Sequence, residues 1–358
     1  MILKKILKIF IFIIFYLLIA LSLYVGIVII NETLTDYKPP LKEKLQAKGK
    51  AYFDTPADSV ITILSWNIGY CGLGKNMDFF YEGGKMTRPS QEYFQKYLNG
   101  VLNFLAKNDT IDMILLQEVD TNARRSYYTN EANLINQFLP NYSSVFAKNY
   151  DVNFVPFPWN SPMGSVISGM ITLSKISSAE AWRYSYCSNY PWPKKIFFHD
   201  RCLIYTKFKM PGGKFLIVLN THNSAYNDAV ELREIEGYVL KAIMLDEYEK
   251  GNYVVVAGDW NRNPPNFDLK KIVTAENKFI AGPALDKNFL PPHWKIIFDP
   301  SLPTCRNVNE PYRKGVTKTT IIDYFAVSPN LEVLENKTIP TNFEFSDHLP
   351  IFIRIKPN

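Results

Sequence analysis

The sequence predicts an α/β fold, a sandwich of mixed sheets with two or three helices among the strands. Short apolar runs rich in β-branched residues recur along the chain and are typical of buried strands. Two segments, one after Ser90 and one over roughly 228–249, place apolar residues at helical spacing. A hairpin signal at 211–213 and several long Pro- and Gly-rich loops separate these elements.

The clearest of the predicted strands covers residues 253–259. It ends at Asp259, and Asn261 follows two residues later. Ser90 is a typical N-cap for the first helix. The segment 263–318 is expected to form long loops because it mixes Pro and Gly with polar residues. In chain order the strands are expected over residues 60–67, 113–116, 169–174, 202–208, 215–222, 253–259, 320–327 and 351–355.

Composition narrows the class of protein. The 358 residues are enough for one large domain or two ordinary ones, and 47% are hydrophobic, which excludes a disordered chain. The net charge is +6, but residues 1–50 hold eight Lys against three acidic residues. The remaining chain is therefore near neutral, which weakens the case for a protein that grips long duplex DNA through many phosphates.

The four cysteines do not form a metal-binding pattern, because none stands at CxxC spacing. A zinc ribbon is therefore not expected. Cys187 and Cys202 can pair in an oxidising compartment, and the sequence leaves that pairing open.

Residues 9–30 form an uncharged and almost wholly apolar segment. As a helix it is long enough to span a bilayer, at about 1.5 Å per residue. Three lysines precede it, so residues 1–8 are expected in the cytoplasm. The residues that follow the segment are then expected on the outer side of the cell membrane. A cleaved signal peptide is the alternative, although its apolar region is usually shorter. Residues 31–58 are predicted to form a polar tether to a domain over 59–358.

Polar side chains stand at the ends of the apolar strands, where a purely structural strand would need none. A carboxylate in such a position is costly to bury unless it is paired or binds a metal. The ends of several buried strands are expected to meet at one site. These polar residues are Asn67, Glu118, His222, Asp259, Asn261 and Asp323, and a turn before the last strand adds Asp347 and His348.

The types of residue in this set indicate its chemistry. Carboxylates with carboxamides, and no Cys/His cluster, suit Mg²⁺ or Mn²⁺ better than Zn²⁺. Histidines near a hard cation suit acid–base work on a phosphate ester. Asp323 lies between two apolar residues and needs a partner, for which His348 or His222 is the obvious kind.

The order of these segments resembles that of the endonuclease/exonuclease/phosphatase superfamily, which includes deoxyribonuclease I-like, exonuclease III-like and neutral sphingomyelinase-like enzymes. The resemblance extends from residue 60 to the C-terminus, and six short motifs in the family's order carry it. The motifs are Ser65–Asn67, Leu116–Glu118, Asn220–His222, Gly258–Asn261, Ile322–Tyr324 and Ser346–His348.

The resemblance implies a four-layered α/β/β/α sandwich of two mixed sheets, with the site at one rim. It implies that residues 59–358 form a catalytic domain that hydrolyses phosphoesters. It further implies that Glu118 is the main metal ligand, with Asn67 beside it and Asp347 near the same cation.

The same resemblance assigns the catalytic roles. Asp259 would orient or deprotonate the attacking water, and Asn261 would hold a phosphate oxygen. Asp323 would orient His348 and stabilise its charge. His222 matches the second histidine of the deoxyribonuclease and sphingomyelinase branches.

The substrate stays open, because the loops around residues 69–88 and 150–165 match no substrate-defining loop of the family. Nucleic acid and a phospholipid headgroup are both candidates for a phosphodiesterase, and a phosphomonoesterase competes with it. A catalytically silent binding module of the same fold is the alternative from another class. Arg124 and Arg125 are candidates for contact with a substrate phosphate. His199 and His293 are expected to be ordinary surface or core histidines. No protein partner can be inferred.

Overall fold

The computed structural model describes residues 2–54, 60–225, 227–268 and 283–358. Its α-helices are α1 (Ile2–Leu34), α2 (Gln91–Lys107), α3 (Glu131–Phe138) and α4 (Val230–Glu249). Its strands up to residue 209 are β1 (Lys42–Lys44), β2 (Ile61–Asn67), β3 (Met113–Ala123), β4 (Ser143–Val155), β5 (Gly164–Ser174), β6 (Ser178–Ser185) and β7 (Cys202–Lys209). The later strands are β8 (Phe215–His222), β9 (Tyr253–Asp259), β10 (Lys295–Ile297), β11 (Cys305–Arg306), β12 (Thr319–Thr320), β13 (Asp323–Val327), β14 (Leu331–Thr338) and β15 (Ile351–Pro357).

The described strands form two mixed sheets and one small ribbon. The first sheet has the order β1-β6-β7-β8-β9-β13-β10, and the second has the order β14-β15-β2-β3-β5-β4. In each sheet one central pair is parallel, β8 with β9 and β2 with β3, and the other pairs are antiparallel. The mixed α/β sandwich predicted from the sequence is therefore confirmed.

The buried clusters show four layers. Leu98 of α2 shares one cluster with the outer face of the second sheet, and α3 joins the same cluster. Leu115 of β3 and Val218 of β8 belong to the cluster between the two sheets. Leu240 of α4 shares a third cluster with Val254 of β9. The order is thus helices, sheet, sheet, helix.

The alternation of side chains along each strand aims the site residues at one place. Val255 and Ala257 of β9 face the other sheet, so Asp259, two residues further on, faces the same way. The same parity applies to Asn67 after Ile63 in β2. These side chains from two sheets therefore meet at a common rim.

Glu118 departs from the predicted geometry. The sequence predicts a short strand over 113–116 that ends at Glu118, whereas β3 continues to Ala123. Pairing with β5 shifts between Leu116 and Val119, and Glu118 has a φ of 53°. The residue thus lies in a β-bulge, which turns its side chain out of the regular alternation.

Asp323 also sits differently from the prediction. The single strand expected over 320–327 is divided into β12 and β13, and Asp323 is the first residue of β13. It is paired with Asp259 in the register of the first sheet, so both acids lie at the same edge.

The sequence does not predict strands β4, β6 and β14, because their mixed composition lacks a continuous apolar run. The predicted tether also takes part in the fold. Residues 42–44 form the edge strand β1, which pairs with β6. Part of the predicted loop segment 263–318 lies outside the described residues.

Helix α1 is longer than the apolar segment that predicted it, and it is long and apolar enough to cross a membrane. Its last third, from Tyr24 onwards, contacts the domain. The buried carboxylate of Glu32 accepts a hydrogen bond from the backbone of Asn153, and Tyr24 lies 6.3 Å from Trp159 between ring centroids. All four cysteines are free thiols, and Cys187 and Cys202 are not paired.

Candidate active site

Asp259 occupies the centre of the site, at the end of β9. Gly258 before it has a φ of 147°, and a Cβ there would lie 1.9 Å from the carbonyl oxygen of Thr221. Only glycine allows β8 and β9 to approach so closely at this point. The Asp259 carboxylate is 2% exposed and accepts a hydrogen bond from the backbone of Asn261 at 2.9 Å.

Asn67 and Glu118 bring the second sheet into contact with Asp259. The Asn67 amide nitrogen donates to Glu118 Oε1 at 3.2 Å and to Asp259 Oδ2 at 3.1 Å. Its Oδ1 accepts from the backbone of Gly69 at 3.0 Å. One carboxamide therefore fixes two carboxylates from opposite sheets.

His222 and Asn261 flank the same carboxylates. His222 is the neighbour of Asp259 in the parallel register, and its Nε2 lies 3.5 Å from Asp259 Oδ2 and 3.7 Å from Glu118 Oε1. Asn261, with a φ of 50°, donates its side-chain amide to the carbonyl of Asn223 at 2.8 Å. Both side chains line the cavity above Asp259.

Asp323 and His348 form a buried pair. His348 Nδ1 lies 2.8 Å from Asp323 Oδ2, while its Nε2 points towards Asp259, 3.7 Å from Oδ2. The backbone carbonyl of His348 accepts a hydrogen bond from the indole of Trp66, which holds the last turn on β2. The imidazole is thus fixed between two carboxylates.

Asp347 lies beside Glu118 at the other end of the site. It is 6% exposed, and its Oδ1 accepts a hydrogen bond from Ser346 Oγ at 3.3 Å. Burial raises the pKa of Asp347 to about 6, and the charge of Glu118 raises it further against the opposing charge of His348. A buried carboxyl group that feels the charge of a second carboxylate in this way is a suitable ligand for a cation.

The pKa values of the two histidines are shifted in opposite directions. Burial alone would lower the pKa of His348, but the carboxylate of Asp323 and other negative groups raise it well above its usual value. Burial and the charge of Arg201 hold the pKa of His222 well below its usual value. At neutral pH His348 is therefore a cation and His222 is neutral.

Asp259 has the properties of a proton acceptor. Burial raises its pKa to about 7, although the charge of His348 opposes the rise. A carboxyl group with a pKa near neutrality can take and release a proton at physiological pH.

These groups open into a cavity of about 230 Å³. Part of the cavity wall comes from the two loop regions that the sequence left without a role. From the first, Tyr70, Phe79 and Glu82 line it, and from the second, Met163 does. Its floor carries the strand-end residues Glu118, His222, Asp259, Asn261, Asp347 and His348.

Among the lining residues that the sequence does not predict, three carry ionisable side chains of the kinds used in acid–base chemistry or ion binding. His199, expected to be an ordinary histidine, lines the cavity and stacks on Tyr150 with 4.0 Å between ring centroids. Arg201 and Glu82 line it as well. Their segments lack periodicity and family motifs, so only the three-dimensional arrangement reveals them.

The two candidate arginines differ in position. The Arg125 guanidinium lines the cavity, pairs with Asp120 at 2.9 Å and lies over the ring of Tyr70. Arg124 instead donates a hydrogen bond to the carbonyl of Pro162 and is not among the residues that line the cavity. Of the two, the structure brings only Arg125 to the site.

Comparison with known structures identifies the fold. The endonuclease/exonuclease/phosphatase protein of Beutenbergia cavernae DSM 12333 is 14% identical, with a TM-score of 0.54 over 84% of this chain and 72% of that one. A truncated TDP2 of Caenorhabditis elegans is 15% identical, with a TM-score of 0.52 over 83% and 97% of the two chains. ANGEL2, a 2′,3′-cyclic phosphatase, is 13% identical, with a TM-score of 0.54 over 87% and 98%.

At these identities the likeness concerns the fold alone, and a comparison with curated proteins gave no significant match. The family is identified from the sequence. The model of the Endonuclease/Exonuclease/phosphatase family matches residues 64–348, from the middle of β2 to the histidine that pairs with Asp323. Members of this family hydrolyse phosphoesters. This chain, with its two-sheet sandwich and its site at the shared rim, belongs to the endonuclease/exonuclease/phosphatase family.

Proposed function

We propose that the protein is a membrane-anchored, Mg²⁺-dependent phosphoester hydrolase of the phosphodiesterase type. The observation that carries this proposal is the convergence of Asn67, Glu118 and His222 on the buried carboxylate of Asp259. A site retained only for binding would not need a neutral and a charged imidazole beside one buried carboxyl group that can accept a proton. That arrangement argues against a catalytically silent module.

The residues fit a hard divalent cation. Glu118 and Asp347 would hold Mg²⁺ or Mn²⁺, with the carboxamide of Asn67 beside them, since oxygen donors suit these ions. When bound, the ion supplies positive charge for the oxygens of the phosphate. Asp259, Asp323 and His348 also offer ligand atoms within 4.8 Å of one another. We favour Glu118 and Asp347 as the metal ligands, because the hydrogen bond between Asp323 and His348 already occupies Nδ1 of the imidazole.

The chain's own groups support a hydrolytic step by water. Asp259 orients the water and accepts its proton as the new P–O bond forms and the bond to the leaving oxygen breaks. Asn261 and the neutral His222 bind phosphate oxygens. The His348 cation, fixed by Asp323, stabilises the negative charge that develops on the phosphate.

Helix α1 is proposed to anchor the domain to the cell membrane, with the domain on the non-cytoplasmic side. Support comes from the length and apolar composition of the helix and from the lysines before it. The exposed aromatic side chains Phe157, Trp159 and Trp192 lie near the last third of the helix, and aromatic residues are enriched at membrane interfaces.

A phospholipid headgroup is the second candidate substrate, beside nucleic acid. One observation favours it. The segment between β4 and β5 contacts α1 through Trp159 and lines the cavity through Met163, so the cavity opens near the membrane anchor.

The test is a substrate panel with the full chain in uncharged detergent and Mg²⁺. Plasmid DNA, sphingomyelin and bis(p-nitrophenyl) phosphate would be compared, with Asp259→Asn as the inactive control. Hydrolysis of at least one of them by the wild type, and by none in the variant, is expected. Equal hydrolysis by both proteins, or by neither, would contradict the proposal.

A further inference from the structure

Glu118 lies where the pairing of β3 with β5 is interrupted. The register shifts between Leu116 and Val119, and it shifts again between Asp120 and Asn122. Glu118 itself has a φ of 53°, a conformation that residues other than glycine rarely adopt. Such a backbone persists only where the surrounding structure holds it. Groups outside the β3–β5 ladder are therefore needed to fix the direction of the Glu118 side chain.

A buried carboxyl group from α3 holds the backbone at this bulge. Glu131, the first residue of α3, is 0% exposed, and its Oε2 accepts a hydrogen bond from the backbone N–H of Asp120 at 2.8 Å. Asp120 follows Glu118 by two residues, so the contact acts on the bulge itself. Burial and then the charge of Asp120 raise the pKa of Glu131 well above its usual value, which makes the group a neutral acid at neutral pH.

The side chain of Asp120 is fixed as well. Its two carboxylate oxygens accept hydrogen bonds from Arg125, from Nε at 3.0 Å and from Nη2 at 2.9 Å. The Arg125 guanidinium lies over the ring of Tyr70, 3.7 Å from its centroid. Both the backbone and the side chain next to the bulge are thus held by buried groups.

The first sheet has the same arrangement beyond His222. Glu236 of α4 is also fully buried, and its Oε2 accepts a hydrogen bond from the backbone N–H of Ser224 at 2.8 Å. Ser224 follows His222 by two residues, as Asp120 follows Glu118. In each sheet a helical carboxyl group therefore reaches the chain just beyond a site residue, and Glu236 provides a matched control for Glu131.

Glu131 can act on a cation only through Glu118. It is not among the residues that line the cavity, whereas Glu118 is. Groups that orient a metal ligand without touching the metal usually change its affinity by about 10-fold to 100-fold when they are altered. The geometry therefore gives Glu131 a role in metal binding that differs from the role of a ligand.

We propose that Glu131 is a positioning residue, whose hydrogen bond to the Asp120 backbone holds the bulge so that the Glu118 carboxylate is presented to the cavity as a metal ligand. The role of Glu118 as a ligand rests on the proposed function, whereas the hold on the bulge rests on the contacts of the described residues. The bulge is formed before a cation binds, so that binding does not have to order it.

The test measures the affinity for Mg²⁺ through the Tm. The full chain in uncharged detergent is dialysed against EDTA and then against metal-free buffer, and the Tm is followed over a series of MgCl₂ concentrations at constant ionic strength. A ligand that binds the folded state raises the Tm with its concentration. The variants are Glu131→Asp, which takes the acceptor out of reach, Glu131→Gln, which keeps the length and an acceptor oxygen, and Glu236→Asp, the matched change in α4.

We expect Glu131→Asp to weaken Mg²⁺ binding by about 10-fold or more, the scale of a group that orients a metal ligand. Glu131→Gln should bind Mg²⁺ nearly as tightly as the wild type, because it retains the hydrogen bond from Asp120. Glu236→Asp should lose stability and keep its affinity for Mg²⁺, since it acts on the other sheet. A merely structural role of Glu131 would lower the Tm at every MgCl₂ concentration and leave the affinity unchanged.

Hydrogen exchange in the wild type gives a measurement that does not depend on the folding of a variant. In EDTA the backbone amide of Asp120 should exchange as slowly as the amides in the centre of β3, since a buried carboxyl group already holds it. An amide that becomes protected only after MgCl₂ is added would show that the cation, and not Glu131, forms the bulge.

The outcomes separate this inference from the proposed function. A Glu131→Asp variant with the affinity of the wild type, or an equal loss of affinity in Glu236→Asp, would overturn the positioning role and leave the proposed function intact. A wild type whose Tm does not respond to MgCl₂ would reject the proposed metal site, and the positioning of a metal ligand with it.

Discussion

At the scale of single residues, the pair of Asp323 and His348 carries the most specific claim. The hydrogen bond of 2.8 Å between them is fully buried. It fixes the orientation of the imidazole and favours its cationic form. We expect His348→Ala to lower kcat by at least about 100-fold, the scale of a positioned acid–base group. Asp323→Asn should cost nearly as much.

The double variant distinguishes a pair from two independent residues. If Asp323 acts only through His348, the double variant loses little more than either single variant, since residues that act as a unit are not additive. The three kcat values are measured at saturating Mg²⁺. Losses that multiply in the double variant would show that the two side chains act separately.

Glu82 gives a prediction for stability against pH. Burial raises its pKa to about 7, and its carboxylate accepts a hydrogen bond from the backbone of Val308 at 2.6 Å. The folded state thus holds a proton that the unfolded state, with a pKa near 4.5, has lost. Stability from this group is present at low pH and declines as the pH rises from about 4.5 to 7.

Glu82→Gln removes this titration and keeps an oxygen for the Val308 hydrogen bond. We expect the variant to gain stability relative to the wild type as the pH is raised from 5 to 8. The Tm of both proteins at several pH values measures the difference. A constant difference across that range would show that Glu82 does not titrate there.

The residues of the site differ in how far the sequence predicts them. Asn67, His222 and Asp259 end apolar strands, and strand parity alone brings them to one rim. Glu118 was assigned to a strand end but lies in a bulge, because a single residue with positive φ leaves no trace in a hydrophobic pattern. Arg201 stands in an irregular segment, and nothing in its local sequence marks it as a cavity residue.

At the scale of elements, the proposed location of the protein rests on helix α1. Its end is joined to β4 by the hydrogen bond from the Asn153 backbone to Glu32, and by a second from the Asn153 amide to Thr35 at 2.6 Å. These two hydrogen bonds join the domain to the end of the helix. If α1 spans a membrane as proposed, they would fix which side of the domain faces the bilayer.

The membrane topology follows from this element. We expect the protein to stay in the membrane pellet after a carbonate wash, because an apolar helix of this length is not removed by high pH. In spheroplasts the domain should be cleaved by added protease. A domain that is protected in spheroplasts and cleaved only after lysis would reverse the proposed orientation.

Elements were predictable where one face or both faces of a strand are continuously apolar. Strands β2, β8 and β9 are of this kind, and their predicted and observed bounds differ by at most a residue. Strand β4 contains Lys148, Asn149 and Asp151 among its apolar residues and was missed for that reason. Edge strand β1 consists of exposed charged residues. It pairs with β6 through the backbone, and the Lys42 ammonium lies over the ring of Trp182 at 4.2 Å.

At the scale of the whole molecule, two sheets must pack face to face before the site exists. Gln117 and Asn220, at matching positions on the two sheets, are joined by a buried hydrogen bond of 2.8 Å. This contact sets the sheets in register just below the rim. No local pattern in the sequence predicts this contact between the sheets.

The central claim is that the rim is a metal-dependent hydrolytic centre, and metal dependence tests it most directly. The full chain is dialysed against EDTA, and hydrolysis of bis(p-nitrophenyl) phosphate is followed before and after MgCl₂ is added. We compare the wild type with Glu118→Gln and with the control Glu335→Gln on the exposed part of β14. The account predicts no hydrolysis in EDTA, recovery with Mg²⁺ in the wild type and the control, and no recovery in Glu118→Gln despite an unchanged Tm. Full hydrolysis by the EDTA-dialysed protein, or full recovery by Glu118→Gln, would contradict it.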